Sequence, residues 1–227
     1  MKQSKFITFP KQRELSQNIS DTFIFLRRNL KPLFKVLVRT CIIPFILLML
    51  AIGFYTKTSA GINFLSTDGP NFDIASVIIA VVALILTGIV YNAMLYGSVS
   101  EYIKAYITAG GKPDTALVVT TVKQKTGSFL GLGFLNLLIL LGAIVLPAII
   151  GSYLVASGSS VLGVLIVCLS FFPVLYLYIR FSVIYPTFTN KQTSIGQTFK
   201  ESGHLVSGEW WMTFFTIFII AFLIGII

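Results

Sequence analysis

TGSFLGLGFLNLLILLGAIVLPAIIGSYLVASGSSVLGVLIVCLSFFPVLYLYI, residues 126–179, holds no charged side chain over 54 consecutive positions. At about 1.5 Å of rise per residue, a single helix of that length would reach about 81 Å, more than twice a hydrocarbon core of about 30 Å. The run must fold back on itself, and Ala156-Ser157-Gly158-Ser159-Ser160 is where small and polar residues gather to turn it. Two apolar helices joined by a short turn decide the class. In lipid every backbone polar group must be satisfied internally, so the expected fold is an all-α, polytopic transmembrane helix bundle.

The composition agrees. Of 227 residues 56% are hydrophobic and 11% charged, against about 25% charged in an ordinary soluble domain. A net charge of +9 would suggest nucleic acid in a soluble protein. Here the basic residues flank apolar runs, so they mark the cytoplasmic side of a membrane and no nucleic-acid partner is expected. Cys41 and Cys168 lie inside apolar runs at different depths, which argues against a disulfide, and no metal-ligand spacing appears. No cofactor is expected. Some 33 mostly polar residues precede the first apolar run, which reads as a retained signal anchor.

Five spans are expected, at about 34–55, 74–96, 128–155, 161–185 and 210–227. Residues 1–33 form a basic cytoplasmic segment with Lys2, Lys5, Lys11, Arg13, Arg27 and Arg28. Leu15, Ile19, Phe23 and Leu26 recur there at helical spacing, as in a helix lying on an anionic leaflet; Ser20-Asp21-Thr22 offers a cap for a shorter one. Pro44, Pro147 and Pro173 predict bends within spans, and Pro186 a stop. Gly127 and Gly131 form a small-xxx-small pair that would admit a neighbouring helix. Gly110-Gly111 and Pro113 break the segment 97–127, and Asp114 opens a second short amphipathic helix through Leu117 and Val118. Sixteen of the 17 Lys and Arg fall on the side of the N-terminus and only Lys57 on the other. That bias predicts a cytoplasmic N-terminus and a last residue outside.

Three segments that precede apolar runs can be laid over one another: ISDTFIFLRRNLKPLF (19–34), PDTALVVTTVKQKTGSF (113–129) and IGQTFKESGHLVSGEW (195–210). Asp21-Thr22, Asp114-Thr115 and Gln197-Thr198 coincide. The expected unit is an interfacial amphipathic helix, an elbow, then a transmembrane hairpin. The third unit holds one span and stops at Ile227 without a polar anchor, so either the fifth helix ends bluntly at the outer surface or the sequence is a fragment lacking a sixth span.

One stretch carries a family likeness. Arg180-Phe181-Ser182-Val183-Ile184-Tyr185-Pro186, Gln197-Thr198-Phe199-Lys200-Glu201-Ser202 and Gly208-Glu209-Trp210-Trp211 resemble the bacterial glycerophosphoryl diester phosphodiesterase membrane-domain family. The resemblance covers about 30 residues closely and the rest in layout. It implies a six-span bundle with amphipathic cytoplasmic segments, an arginine near a span end, a proline, an A-x-x-x-S helix and a G-x-x-W re-entry. Thr198-Phe199 stand where that family has alanine. The His- and Glu-rich catalytic domain of the family has no counterpart here, so its activity is not implied.

Few residues carry chemistry. Arg180 is the first candidate, either as an interfacial anchor on lipid phosphate or paired with Glu101 or Glu209. Those three, with Arg27 and Arg28, are the candidate contacts for lipids or a partner protein. His204 stands alone, with Glu201 three residues earlier on the same helical face; both read as solvated. Asn92 and Asn136 fall inside spans, where hydrogen bonding between helices is the default. Asp68 and Asp73 share an outside loop with Asn63 and Asn71 but match no calcium-loop spacing. No G-x-S-x-G, phosphate loop or paired intramembrane carboxylates occur. The sequence therefore reads as a non-catalytic membrane bundle engaging anionic inner-leaflet lipids, partner membrane proteins or a second copy of itself. A lipid-translocating or transport component using Arg180 is the alternative, and an intramembrane enzyme the weakest.

Overall fold

The computed structural model describes residues 15–59 and 74–226; Lys2, Lys5, Lys11 and Arg13 and the loop bearing Asn63, Asp68, Asn71 and Asp73 lie outside the described residues. Among the described residues the chain forms nine helical segments and no strand. They are α1 (Leu15–Ser59), α2 (Ile74–Thr108), α3 (Thr115–Gln124), α4 (Thr126–Ala156), α5 (Ser160–Leu169), α6 (Phe171–Arg180), α7 (Ile184–Lys191), α8 (Ile195–Ser207) and α9 (Trp210–Ile226). Four helical stretches are long and apolar enough to cross a membrane, five when α8 and α9 count as one span bent by 91°. The chain is built as a membrane protein.

The first expected elbow is missing. α1 runs unbroken for 45 residues through Pro32 and Pro44. The reason is a buried stripe: Phe25, Asn29, Leu33, Val36 and Thr40 recur every three or four residues on one face. That stripe packs against α2 and α3. One continuous register serves the whole contact, and a bend at residue 33 would split it. Phe23, Leu26 and Leu30 face outward instead. α2 likewise continues past the expected end of the second span at residue 96 and seven residues beyond Glu101.

The long apolar hairpin forms as expected, turning at Gly158 with φ +92°. Its second arm is divided into α5, α6 and α7, and proline accounts for each break. Pro173 would clash with the carbonyl of Leu169, and the helix interrupts at Ser170; Pro186 would clash with that of Ser182, and it interrupts at 181–183. Pro186 is thus no stop. It sits in the first turn of α7, where its missing N–H is no loss. α7 ends at Gln192, whose left-handed φ of 52° lets its N–H reach the Phe188 carbonyl at 2.8 Å.

Close helix approach occurs at one glycine of the expected pair, Gly131, where α8 comes near, and at others outside it. Gly127 faces open space, and a Cβ on Gly131 would meet only the Ile195 side chain. The backbones of α4 and α5 meet at Gly151 and Gly163, where a Cβ on Gly163 would overlap the Gly151 carbonyl. Between α2 and α4, the Phe129 ring lies on bare Gly97, within 2.6 Å of where a Cβ would stand.

The packed interior gathers at the basic end. Val36, Tyr102, Val122, Phe129, Leu132 and Ile184 are all but inaccessible. The Phe25 ring meets Tyr106 edge-on at 5.1 Å, and Phe129 sits between Tyr185 and Phe188. The short helices α3, α7 and α8 cap this end. Asp114 caps α3 by accepting the Ala116 N–H at 2.8 Å, and Ser194 holds the corresponding place at the start of α8. These caps re-register the internal likeness. Asp114 corresponds to Ser194, three residues from the expected partner Gln197, and Val118, Val119 and Val122 then match the buried Thr198, Phe199 and Ser202.

Candidate functional site: the basic end of the bundle

Arg180 closes α6 where that helix meets α8. Two features of α8 hold it. Ser202 donates its hydroxyl to the Arg180 carbonyl at 3.1 Å, and Gly203 leaves room for the guanidinium, since a Cβ there would lie 2.7 Å from Nε. On the other side Nη1 donates to the Tyr176 hydroxyl at 3.2 Å, and the guanidinium carbon is 5.8 Å from the Tyr176 ring centroid. The Nε is buried and has no hydrogen-bond acceptor among the described residues.

No carboxylate among the described residues forms an ion pair with Arg180. The expected pairing with Glu101 fails because Glu101 belongs to Lys125, at 2.6 Å, with side-chain exposures of 5% and 21%. The pairing with Glu209 fails too. Glu209 stands exposed in the bend between α8 and α9, where its backbone carbonyl accepts from Thr213. Arg27 and Arg28 lie on exposed positions of α1, a helix that packs against neither α6 nor α8. The five candidate residues do not form one site.

What surrounds Arg180 is aromatic. The Trp210 ring stacks on Tyr176 at 5.9 Å, and Trp211 stands perpendicular to Trp210 at 4.9 Å. Tyr176, Ser207, Glu209, Trp210 and Trp211 line an open recess of about 590 Å³. A second cleft of about 400 Å³ runs along the seam of α2 and α3, with Lys104, Lys112 and Lys125 at its rim and Ala105, Leu117 and Val118 along it. Two of its lysines are committed inside the protein, Lys125 to Glu101 and Lys104 to the Thr189 carbonyl at 2.7 Å, while Lys112 and Asp114 stand exposed.

The remaining candidates resolve locally. Asn92 is exposed and donates to the Gly88 carbonyl of its own helix at 2.8 Å, so it bridges no pair of helices. Asn136 is half-buried, and its Oδ1 has no donor among the described residues. Glu201 pairs with Lys191 of α7 rather than with His204, which is exposed. Among the described residues no three His, Cys, Asp or Glu gather where a metal ion could be held. Sequence reasoning missed the Glu101–Lys125 pair, the Asn29–Tyr102 hydrogen bond at 3.1 Å and the Ser202-Gly203 seat of Arg180. Each joins residues 22 to 73 positions apart, and no local spacing announces them. No protein-family model, no curated protein and no solved structure matches this chain, so the likeness of residues 180–211 stands on those residues alone.

Proposed function

We propose that this chain is a non-catalytic, multi-pass protein of a bacterial inner membrane, with its N-terminus in the cytoplasm, that holds phospholipid at its basic end. The observation that carries the reading is Arg180. Ser202 holds its backbone carbonyl and Gly203 and Tyr176 seat its guanidinium, yet none of the described carboxylates neutralises it. An arginine fully inside the bilayer costs about 2.5–3.5 kcal/mol on insertion scales, and a lipid phosphate at the interface is the counter-ion available to it. Tyr176, Trp210 and Trp211 beside it are residue types that prefer the head-group level. Large exposed apolar side chains on α1, α2, α4 and α5 give the lipid tails a surface to cover.

The test is the phospholipid retained by the purified protein, counted by native mass spectrometry. Arg180→Ala is expected to lose tightly held lipid while keeping its helical circular dichroism. Arg39→Ala, which removes an exposed arginine of α1, is expected to behave as wild type. Equal retention in wild type and Arg180→Ala would refute the reading.

A further inference from the structure

The recess between α6, α8 and α9 has a chemistry of its own, and we propose that it receives the ammonium of an amine-bearing, zwitterionic phospholipid whose phosphate sits on Arg180. This rests on Arg180 as the lipid-holding residue and adds the head-group class. Tyr176 joins the two halves: its hydroxyl accepts from Arg180, while its ring carries Trp210 on its face. Trp210 and Trp211 meet at 88°, forming an aromatic corner, and Glu209 supplies a carboxylate with no ion-pair partner among the described residues. Aromatic faces with a carboxylate are the surroundings that select alkylammonium groups.

The sign of the recess follows from its contents. The negative end of the α8 dipole, at Ser207, adds to the full charge of Glu209. Together they outweigh the positive end of α9, equivalent to about half a charge. A simple anion would be repelled from the recess and drawn to Arg180. A group with a phosphate and an ammonium on one short linker satisfies both at once. Trp211 is among the most exposed large side chains of the chain, so the recess opens outward to lipid rather than into the bundle.

Head-group preference tests this directly. The full-length protein is titrated with equimolar phosphatidylethanolamine and phosphatidylglycerol of matched acyl chains, and each adduct is counted by native mass spectrometry. Wild type is expected to prefer the ethanolamine lipid by about two- to five-fold, the size of a solvent-facing cation–π contact. Glu209→Gln and Trp211→Leu are expected to bring the ratio towards one by weakening the ethanolamine adduct, while the phosphatidylglycerol adduct still falls with Arg180→Ala. Both positions are surface-facing, and retained circular dichroism checks that each variant is folded. A wild-type ratio of one, with binding that still depends on Arg180, would overturn the ammonium site and leave the phosphate reading intact. A preference unchanged in both variants would also overturn it. Loss of Arg180 dependence would remove both.

Discussion

Removing one partner of the Glu101–Lys125 pair should cost unequal amounts depending on which partner is lost. At 2.6 Å and an effective dielectric constant near 20, the attraction is about 6 kcal/mol before desolvation of either charge is counted. The stranded partner decides the net cost. Lys125 retains 21% exposure and a flexible stem that can carry its ammonium to water, so Glu101→Leu is expected to lose about 1–3 kcal/mol. Glu101 is 5% exposed on a rigid helix and has no such route, so Lys125→Met should lose about 3–5 kcal/mol. The double variant replaces both charges by apolar groups and should recover most of the loss, with a coupling energy of at least about 1.5 kcal/mol. Reversible unfolding by SDS in mixed micelles, followed by circular dichroism, measures all four corners of the cycle. Equal single-variant losses, or coupling below about 0.5 kcal/mol, would show that the pair does not hold α2 to the α3–α4 junction as described.

Other perturbations have equally definite outcomes. Gly163→Ala should destabilise by about 1–3 kcal/mol because the methyl meets the Gly151 carbonyl. Gly127→Ala, facing open space, should be neutral or stabilise by up to about 1 kcal/mol in the same unfolding assay. Tyr102→Phe deprives the buried Asn29 of its hydrogen-bond donor and should cost about 1–3 kcal/mol. Gly203→Ala pushes on the end of a flexible side chain, so lipid retention should fall towards that of Arg180→Ala while stability changes by less than about 1 kcal/mol. Reporter fusions should read outside after Gly158 and inside after Lys191; the reverse pattern would overturn the orientation.

The helical class and the hairpin of residues 126–179 were legible because a bilayer imposes a length on any charge-free run. The α3 cap was legible at Asp114, since a cap is a local event. Other features depend on partners that a linear reading does not see. Whether Pro32 bends α1 turns on what covers Phe25, Asn29 and Leu33 from outside the helix. Gly127 and Gly131 have the spacing of a helix contact and Gly151 with Gly163 does not, yet it is the second pair whose backbones meet, because the hairpin turn brings those two together. Arg180 was legible as the unusual charge, but not its setting. Its seat is the Ser202 hydroxyl and the bare Gly203 of α8, and Glu101, one of its two expected counter-ions, is claimed by a lysine 24 residues away.

The concentration of buried side chains at one end has a mechanical consequence. Tyr102, Phe129, Leu132 and Ile184 fix the helices there, while Ala51, Ala80 and the Gly151–Gly163 contact are the closest packing towards the opposite tips. Such a body behaves as a pair of tongs with a riveted base. A change in bilayer thickness or lateral pressure acts on the tips with the full length of the helices as its lever arm, and they spread or close by turning about the rivet. The base moves little. The α4 and α5 tips are tied by the turn at Gly158 and by the Gly151–Gly163 contact, so Gly163 is where strain at those tips meets the tightest packing.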